Sequence, residues 1–274
     1  MAGRWVLSDI ASTSVQPVRH GQRMRAFLVF CIAGLPGVLV LVLTLPAQLS
    51  RMAPGKPLPM PLAVIESIAF AQGYALVVLF ALAGTFAAPA CGFRSLVYDW
   101  ATGRPRSGTL RLPVAIVAGA VLLAFGLLVD IALIPYYGPS WNALKALMPD
   151  RGTALAVGVL YGGIDEEILT RWGLMSVLAW AGWRLFQRGR AAPSAGVVAV
   201  AVVLAALAFG AGHLPVAMKL VHPMPAIVVL RIVLLNAVAG CAFGWLFFRY
   251  NLETAMVAHV TFHAGLFAVG SVVT

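Results

Sequence analysis

Ionisable side chains interrupt long apolar stretches in the second half of the sequence. The run Asp165-Glu166-Glu167-Ile168-Leu169-Thr170-Arg171 places three carboxyl groups and a guanidinium near the middle of one such stretch. Charged groups at bilayer depth are costly unless they are paired or hydrated. Because Glu167 and Arg171 are four residues apart, we expect them to share a helix face and to form an ion pair. Glu166 lies on another face without a cation, which favours a chemical role for its carboxylate.

Three histidines also lie in apolar stretches. His213 ends the run Ala208-Phe209-Gly210-Ala211-Gly212-His213, whereas His259 and His263 are four residues apart and project from one helix face. A carboxylate base with imidazoles can activate water and stabilise an oxyanion, as amide hydrolysis requires. Three histidines and one glutamate would also suit a tetrahedral zinc ion as its ligands. The soluble zinc-protease pattern His-Glu-x-x-His and the serine elbow G-x-S-x-G are absent from the sequence.

The composition indicates a membrane protein. Of 274 residues, 61% are apolar and only 10% are charged, whereas soluble proteins carry about 25% charged residues. This composition excludes a cytosolic enzyme, a disordered protein and a nucleic-acid-binding domain. The net charge of +10 is better explained by basic loops at a membrane surface than by nucleic acid. The length predicts an all-α polytopic protein with about seven transmembrane helices.

Charged or Pro- and Gly-rich segments separate the apolar stretches from one another. The predicted spans are 26–49, 62–90, 113–135, 153–183, 195–214, 226–248 and 252–272. We therefore divide the chain into a basic cytoplasmic segment at 1–25, membrane helices within 26–149, and a catalytic membrane core at 150–274.

Lysine and arginine placement predicts the orientation of the chain. With the N-terminus in the cytoplasm, twelve of these residues lie on the inner side and five on the outer side. We expect a multi-pass protein of the cell membrane, which in a bacterium is the inner membrane. Its expected partners are a protein or peptide substrate in the membrane and the lipid bilayer, and no nucleic acid.

Four other charged residues have a simpler interpretation. Glu66, Asp130 and Glu253 lie near predicted helix ends, and we expect their carboxylates to reach the membrane interface. Arg231 is long enough to extend its guanidinium towards the outer headgroups.

Three spaced motifs in the second half resemble a known family. Glu166-Glu167-x-x-x-Arg171, Phe209-x-x-x-His213 and His259-x-x-x-His263 are similar to the motifs of the CPBP intramembrane proteases. This family, also called Abi or CAAX type II, includes the Ras-converting CAAX endopeptidases. The resemblance covers roughly residues 150–272 and implies an intramembrane endopeptidase.

The resemblance also implies a role for each matched residue. Glu166 would activate the attacking water with help from His213, and His259 and the residue at 263 would support the oxyanion. Glu167 and Arg171 would set the position and charge of Glu166. The family is described both as metalloproteases and as metal-independent glutamate proteases. We expect the second, without a cofactor; in the zinc alternative the ligands would be Glu166, His213, His259 and His263.

The sequence departs from the family pattern at two positions. His263 stands where the family usually has Asn or Asp, and Trp172 separates Arg171 from Gly173. A neutral imidazole can still donate a hydrogen bond to an oxyanion. Two alternatives to a peptidase stay open: a non-catalytic immunity or scaffold protein of the same fold, and an ion or proton transporter, because intramembrane carboxylates and histidines also form ion pathways.

Overall fold

The described residues of the first half form three long helices and one short one. The computed structural model describes residues 18–52, 55–138, 149–220 and 224–273, with side chains except at 219–220 and 271–273. Residues 1–17 of the predicted basic segment lie outside this range. The helices of the first half are α1 (His20–Met52), α2 (Leu62–Ala90), α3 (Leu96–Thr102) and α4 (Leu112–Tyr137).

The second half is built around a long composite helix, α5. This helix begins as Arg151–Val157, passes through two π-helical stretches, Gly158–Glu166 and Ile168–Met175, and ends as Ser176–Phe186. Four helices follow it: α6 (Ala195–Gly212), α7 (Leu214–Leu220), α8 (Ala226–Arg249) and α9 (Leu252–Val273).

The predicted all-α, multi-pass architecture is confirmed. Six helices in the described part of the chain are long and apolar enough to cross a membrane. The composite helix α5 takes the place of the remaining predicted span. α1 begins at His20 rather than Ala26, and α3 and α7, with seven residues each, were not predicted because they are too short for a hydropathy signal.

Helix α5 lies in the middle of the bundle. Its π-helical stretches pack against α1, α2, α6 and α9. Trp172, the residue that departs from the family pattern, is fully buried, and its ring lies 4.8 Å from that of Phe30 and 5.5 Å from that of Tyr98. Gly84 of α2 lies so close to Trp172 that a Cβ at this position would be 2.5 Å from the Trp172 carbonyl oxygen. Trp172 therefore joins α5 to the first half of the chain.

Two of the charged residues near helix ends have protein partners that the sequence did not predict. The Arg231 guanidinium donates to both carboxylate oxygens of Asp130, at 2.5 and 2.6 Å. Glu253 accepts hydrogen bonds from the Ser95 hydroxyl and from the first backbone amides of α3, at 2.6 to 3.0 Å. Both carboxylates therefore tie helices together, which lowers the cost of placing them near the membrane.

Candidate active site

Glu166 lies between histidines supplied by two other helices. Its Oε1 is 3.8 Å from Nε2 of His213 at the end of α6, and its Oε2 is 3.8 Å from Nε2 of His259 in α9. The Glu166 side chain is 16% exposed and that of His213 is 38% exposed. The carboxylate thus faces two imidazoles and remains reachable from outside the core.

Glu167 is turned away from Glu166 and is completely buried. Its Oε1 lies 3.0 Å from the Arg171 guanidinium and 2.8 Å from Nδ1 of His259. The ion pair expected from the four-residue spacing is therefore present. The hydrogen bond to His259 had no signal in the sequence, because the two residues are 92 positions apart. Through this contact, Glu167 holds the imidazole that faces Glu166.

Arg171 is buried between two aromatic rings. Its guanidinium lies 5.0 Å from the centre of the Phe209 ring and 5.3 Å from that of Phe243, a geometry that permits cation–π attraction. It also donates to Thr170 Oγ1 at 2.5 Å and to the Gly240 carbonyl at 3.3 Å. These partners compensate for the loss of water around the charge. Phe209 belongs to the second motif, whereas Phe243 was missed because no motif marks it.

His263 completes the cluster from the next turn of α9. Its Nε2 lies 3.2 Å from Nε2 of His259, and the two rings stack with centres 5.0 Å apart. The imidazole rests against Gly158 and Gly162 in the first π-helical stretch of α5. A Cβ at Gly158 would lie 2.5 Å from the His263 ring, so only glycine leaves room for this histidine.

The two π-helical stretches separate the three adjacent carboxyl groups. Asp165 faces α1, where it contacts Gly34 and Gly37, whereas Glu166 faces the histidines and Glu167 faces Arg171. π-Helical turns widen a helix locally and occur frequently at functional sites. Consecutive residues thereby reach three different environments, although the hydrophobic pattern alone predicted a regular helix.

The hydrogen bonds fix which ring nitrogens carry protons in the neutral histidines. Nδ1 of His213 lies 2.8 Å from the Phe209 carbonyl oxygen, which can only accept, so this nitrogen carries the proton. Nδ1 of His259 likewise donates to the Glu167 carboxylate. Nε2 of each ring then carries a lone pair and lies 3.8 Å from a Glu166 carboxylate oxygen. The 3.2 Å contact within the histidine pair requires His263 to donate its Nε2–H to His259.

The zinc alternative requires Glu166, His213, His259 and His263 to bind one ion. A zinc ligand must offer a lone pair at about 2.0–2.1 Å from the ion. While His263 donates its Nε2–H to His259, this nitrogen has no free lone pair, so zinc binding would require the pair to give up its hydrogen bond. No group of three or more His, Cys, Asp or Glu side chains among the described residues could hold a metal.

Comparison with known proteins identifies the second half of the chain. Residues 150–265 match the family model described as Rce1-like, type II CAAX prenyl endopeptidase. No curated protein and no solved structure matches the chain. The matched segment contains all three motifs and every residue of the cluster, and the resemblance to the CPBP proteases is confirmed over this region. Over residues 150–265 the chain is therefore similar to the Rce1-like type II CAAX prenyl endopeptidases, a family of proteases.

Proposed function

We propose that this protein is an intramembrane endopeptidase in which Glu166 activates the attacking water. The substrate is a protein or peptide in or near the membrane, cleaved in a C-terminal or leader segment. The observation that carries this proposal is the convergence of Glu166, His213, His259 and His263 from three helices. The Glu166 carboxylate and Nε2 of His213 face one another, so a water bound there would meet two free acceptors, because Nε2 of His259 already accepts from His263.

In the proposed reaction, Glu166 takes a proton from water as the water oxygen attacks the carbonyl carbon of the scissile bond. The carbonyl oxygen becomes an oxyanion. When the bond between carbon and nitrogen breaks, the proton held by Glu166 passes to the leaving nitrogen, so that a carboxylic acid and an amine are formed. His213 orients the water, because its Nε2 lone pair accepts the second water hydrogen.

His263 supplies the N–H group for the oxyanion. Its Nε2–H is the donor in the contact with His259, and a small rotation would redirect it to a substrate oxygen. His259, whose Nδ1–H is held by Glu167, keeps its Nε2 lone pair as the acceptor for His263 while it is neutral. This assignment explains how His263 could replace the Asn or Asp that the family usually has.

The same assignment makes catalysis independent of metal, since each side chain already has a role as a base, a water-orienting group or a hydrogen-bond donor. We place the protein in the cell membrane, with the N-terminus in the cytoplasm, on the distribution of lysine and arginine.

The test is cleavage by the purified full chain in liposomes. The probes are a quenched fluorescent peptide with a farnesylated C-terminal CAAX sequence, its unprenylated twin and a hydrophobic transmembrane peptide. Glu166→Gln should lower the cleavage rate by about 10²–10⁴-fold, because the amide cannot accept the water proton. Asp165→Asn is the matched control, since the neighbouring carboxyl group faces α1, and it should retain cleavage.

The result also separates the proposal from its alternatives. A Glu166→Gln protein that inserts normally but cleaves as fast as the wild type would refute the glutamate mechanism. Ion flux through the liposomes that disappears in this variant, with no cleavage of any probe by the wild type, would identify a transporter instead.

A further inference from the structure

An open apolar groove lies between α4 and α8. It has a volume of about 510 Å³, within the range typical of small-ligand sites. No residue of the proposed catalytic cluster lines it. Its walls include Pro113, Val117 and Val121 of α4 with Ala242, Trp245 and Leu246 of α8. Val117 and Val121 are each 61% exposed, and Trp245 is 51% exposed, so the groove opens to the outside of the bundle.

Two arginines lie at one end of this groove. Arg111 immediately precedes α4, and Arg249 is the last residue of α8, so each lies within about one turn of a lining residue. Both guanidinium groups approach the ring of Tyr250, at 5.9 and 5.6 Å from its centre. Both residues are exposed, and neither forms an ion pair with a carboxylate of the described part of the chain.

The length of the groove matches one leaflet of a bilayer. From Pro113 to Val121 the α4 helix rises by about 12 Å, at about 1.5 Å per residue. Half of a typical hydrocarbon core is about 15 Å. The ring of Trp245 meets that of Tyr250 edge-on, with centres 5.8 Å apart, and Tyr250 is the ring that both arginines approach. Amphipathic Trp and Tyr side chains at this position are typical of the boundary between acyl chains and headgroups.

We propose that this groove is a binding site for an anionic phospholipid. One acyl chain fills the apolar groove, and the phosphate lies between Arg111 and Arg249. The charge complementarity favours a negatively charged headgroup over a zwitterionic one, because no carboxylate among the described residues pairs with either guanidinium group.

Quenching of Trp245 by brominated lipids tests this proposal. The full chain is reconstituted in phosphatidylcholine vesicles with increasing fractions of phosphatidylglycerol brominated on its acyl chains, and separately with brominated phosphatidylcholine. The Trp245 signal is the difference between the wild type and Trp245→Phe. Each arginine should favour the anionic lipid about fivefold, and the pair about 30-fold. Arg111→Gln combined with Arg249→Gln should bring the preference close to one.

Two matched controls isolate the groove. Arg104→Gln with Arg106→Gln removes two arginines of the α3–α4 loop without touching the groove, and the preference should remain. Val117→Phe should block the acyl chain and reduce quenching by both lipids, whereas Ile116→Phe, on a neighbouring face of α4, should not. Equal quenching by both lipids in the wild type, or an unchanged preference in the Arg111/Arg249 variant, would overturn the proposal. Self-association that buries Trp245 would also overturn it, because a second copy would then fill the groove.

Discussion

Glu166 and Glu167 are adjacent in the chain, but their side chains have different surroundings. Glu166 has two imidazole nitrogens at 3.8 Å and a partly exposed side chain. Glu167 is buried and has a cation and an imidazole N–H at hydrogen-bond distance. A carboxylate that already accepts two strong hydrogen bonds is poorly placed to take a proton from water. These surroundings support our proposal that Glu166 is the base and that Glu167 is a positioning residue.

Glu167→Gln should reduce cleavage by about 10–100-fold, less than Glu166→Gln, because it weakens the hold on His259 without removing the base. Because Gln can present its NH₂ group to His259, the tautomer of that ring can change, and the pH profile of cleavage should shift. Rates measured from pH 5 to 9 for both variants check this. A greater loss in Glu167→Gln than in Glu166→Gln would reverse the assignment of the two residues.

Arg171→Ala should be the most destabilising change in the cluster. It leaves the Glu167 carboxylate buried without a cation, which typically costs about 3–5 kcal/mol, and it also removes the cation–π contacts with Phe209 and Phe243. Arg171→Lys keeps the charge and should lose less. Unfolding in detergent, followed by tryptophan fluorescence, measures both variants. Equal stability of Arg171→Ala and the wild type would show that Glu167 does not need this partner.

His263→Asn should retain substantial cleavage, and a chelator should not inhibit the wild type. An asparagine amide can donate the same hydrogen bond as the His263 N–H, whereas it is a much poorer zinc ligand. The measurements are the cleavage rate of the variant and the metal content of the purified protein. Stoichiometric zinc, loss of activity on chelation and recovery on adding zinc would replace the metal-free mechanism.

At the scale of helices, the sequence predicted where the long helices begin and end but did not predict their internal geometry. The boundaries of α2, α8 and α9 lie within about a turn of the predicted ones, because apolar stretches of membrane length have sharp polar ends. The π-helical stretches of α5 could not be read from hydropathy, because they depend on close contacts with other helices. Gly158 and Gly162 admit His263 of α9, and such contacts between distant segments leave no local pattern.

The side chain of Asp165 in α5 packs closely against Gly34 and Gly37 of α1. A Cβ at Gly37 would lie 2.6 Å from the Asp165 Cγ atom, so Gly37→Ala should overpack this contact and cost about 1–3 kcal/mol of stability. Asp165→Ala removes the obstructing carboxyl group, and the double variant should recover part of the loss. Gly21→Ala is a control on the same helix, because a Cβ there meets nothing within 4 Å. Additive effects of the two substitutions would show that Gly37 and Asp165 do not interact.

At the scale of the whole molecule, the helices that pack around the candidate site extend beyond the residues that match the family model. The match begins at residue 150, whereas α1 and α2 pack directly on the π-helical stretches that carry the carboxylates. The motifs therefore predicted the cluster of Glu166 and the histidines, but no pattern in the sequence indicated that Gly34, Gly37 and Gly84 of the first half support it. The first two helices are thus part of the framework that positions Glu166.

The orientation of the bundle can be tested with single cysteines at exposed loop positions. Seven crossings with a cytoplasmic N-terminus place Lys56, between α1 and α2, outside, and Arg106, between α3 and α4, inside. In intact cells a membrane-impermeant maleimide should label Lys56→Cys and not Arg106→Cys, whereas permeabilised cells should show both. The wild type serves as the background, because Cys31 and Cys91 are buried and Cys241 is half-buried. Labelling of Arg106→Cys alone in intact cells would show that the topology is inverted, with the excess of arginine on the outer surface.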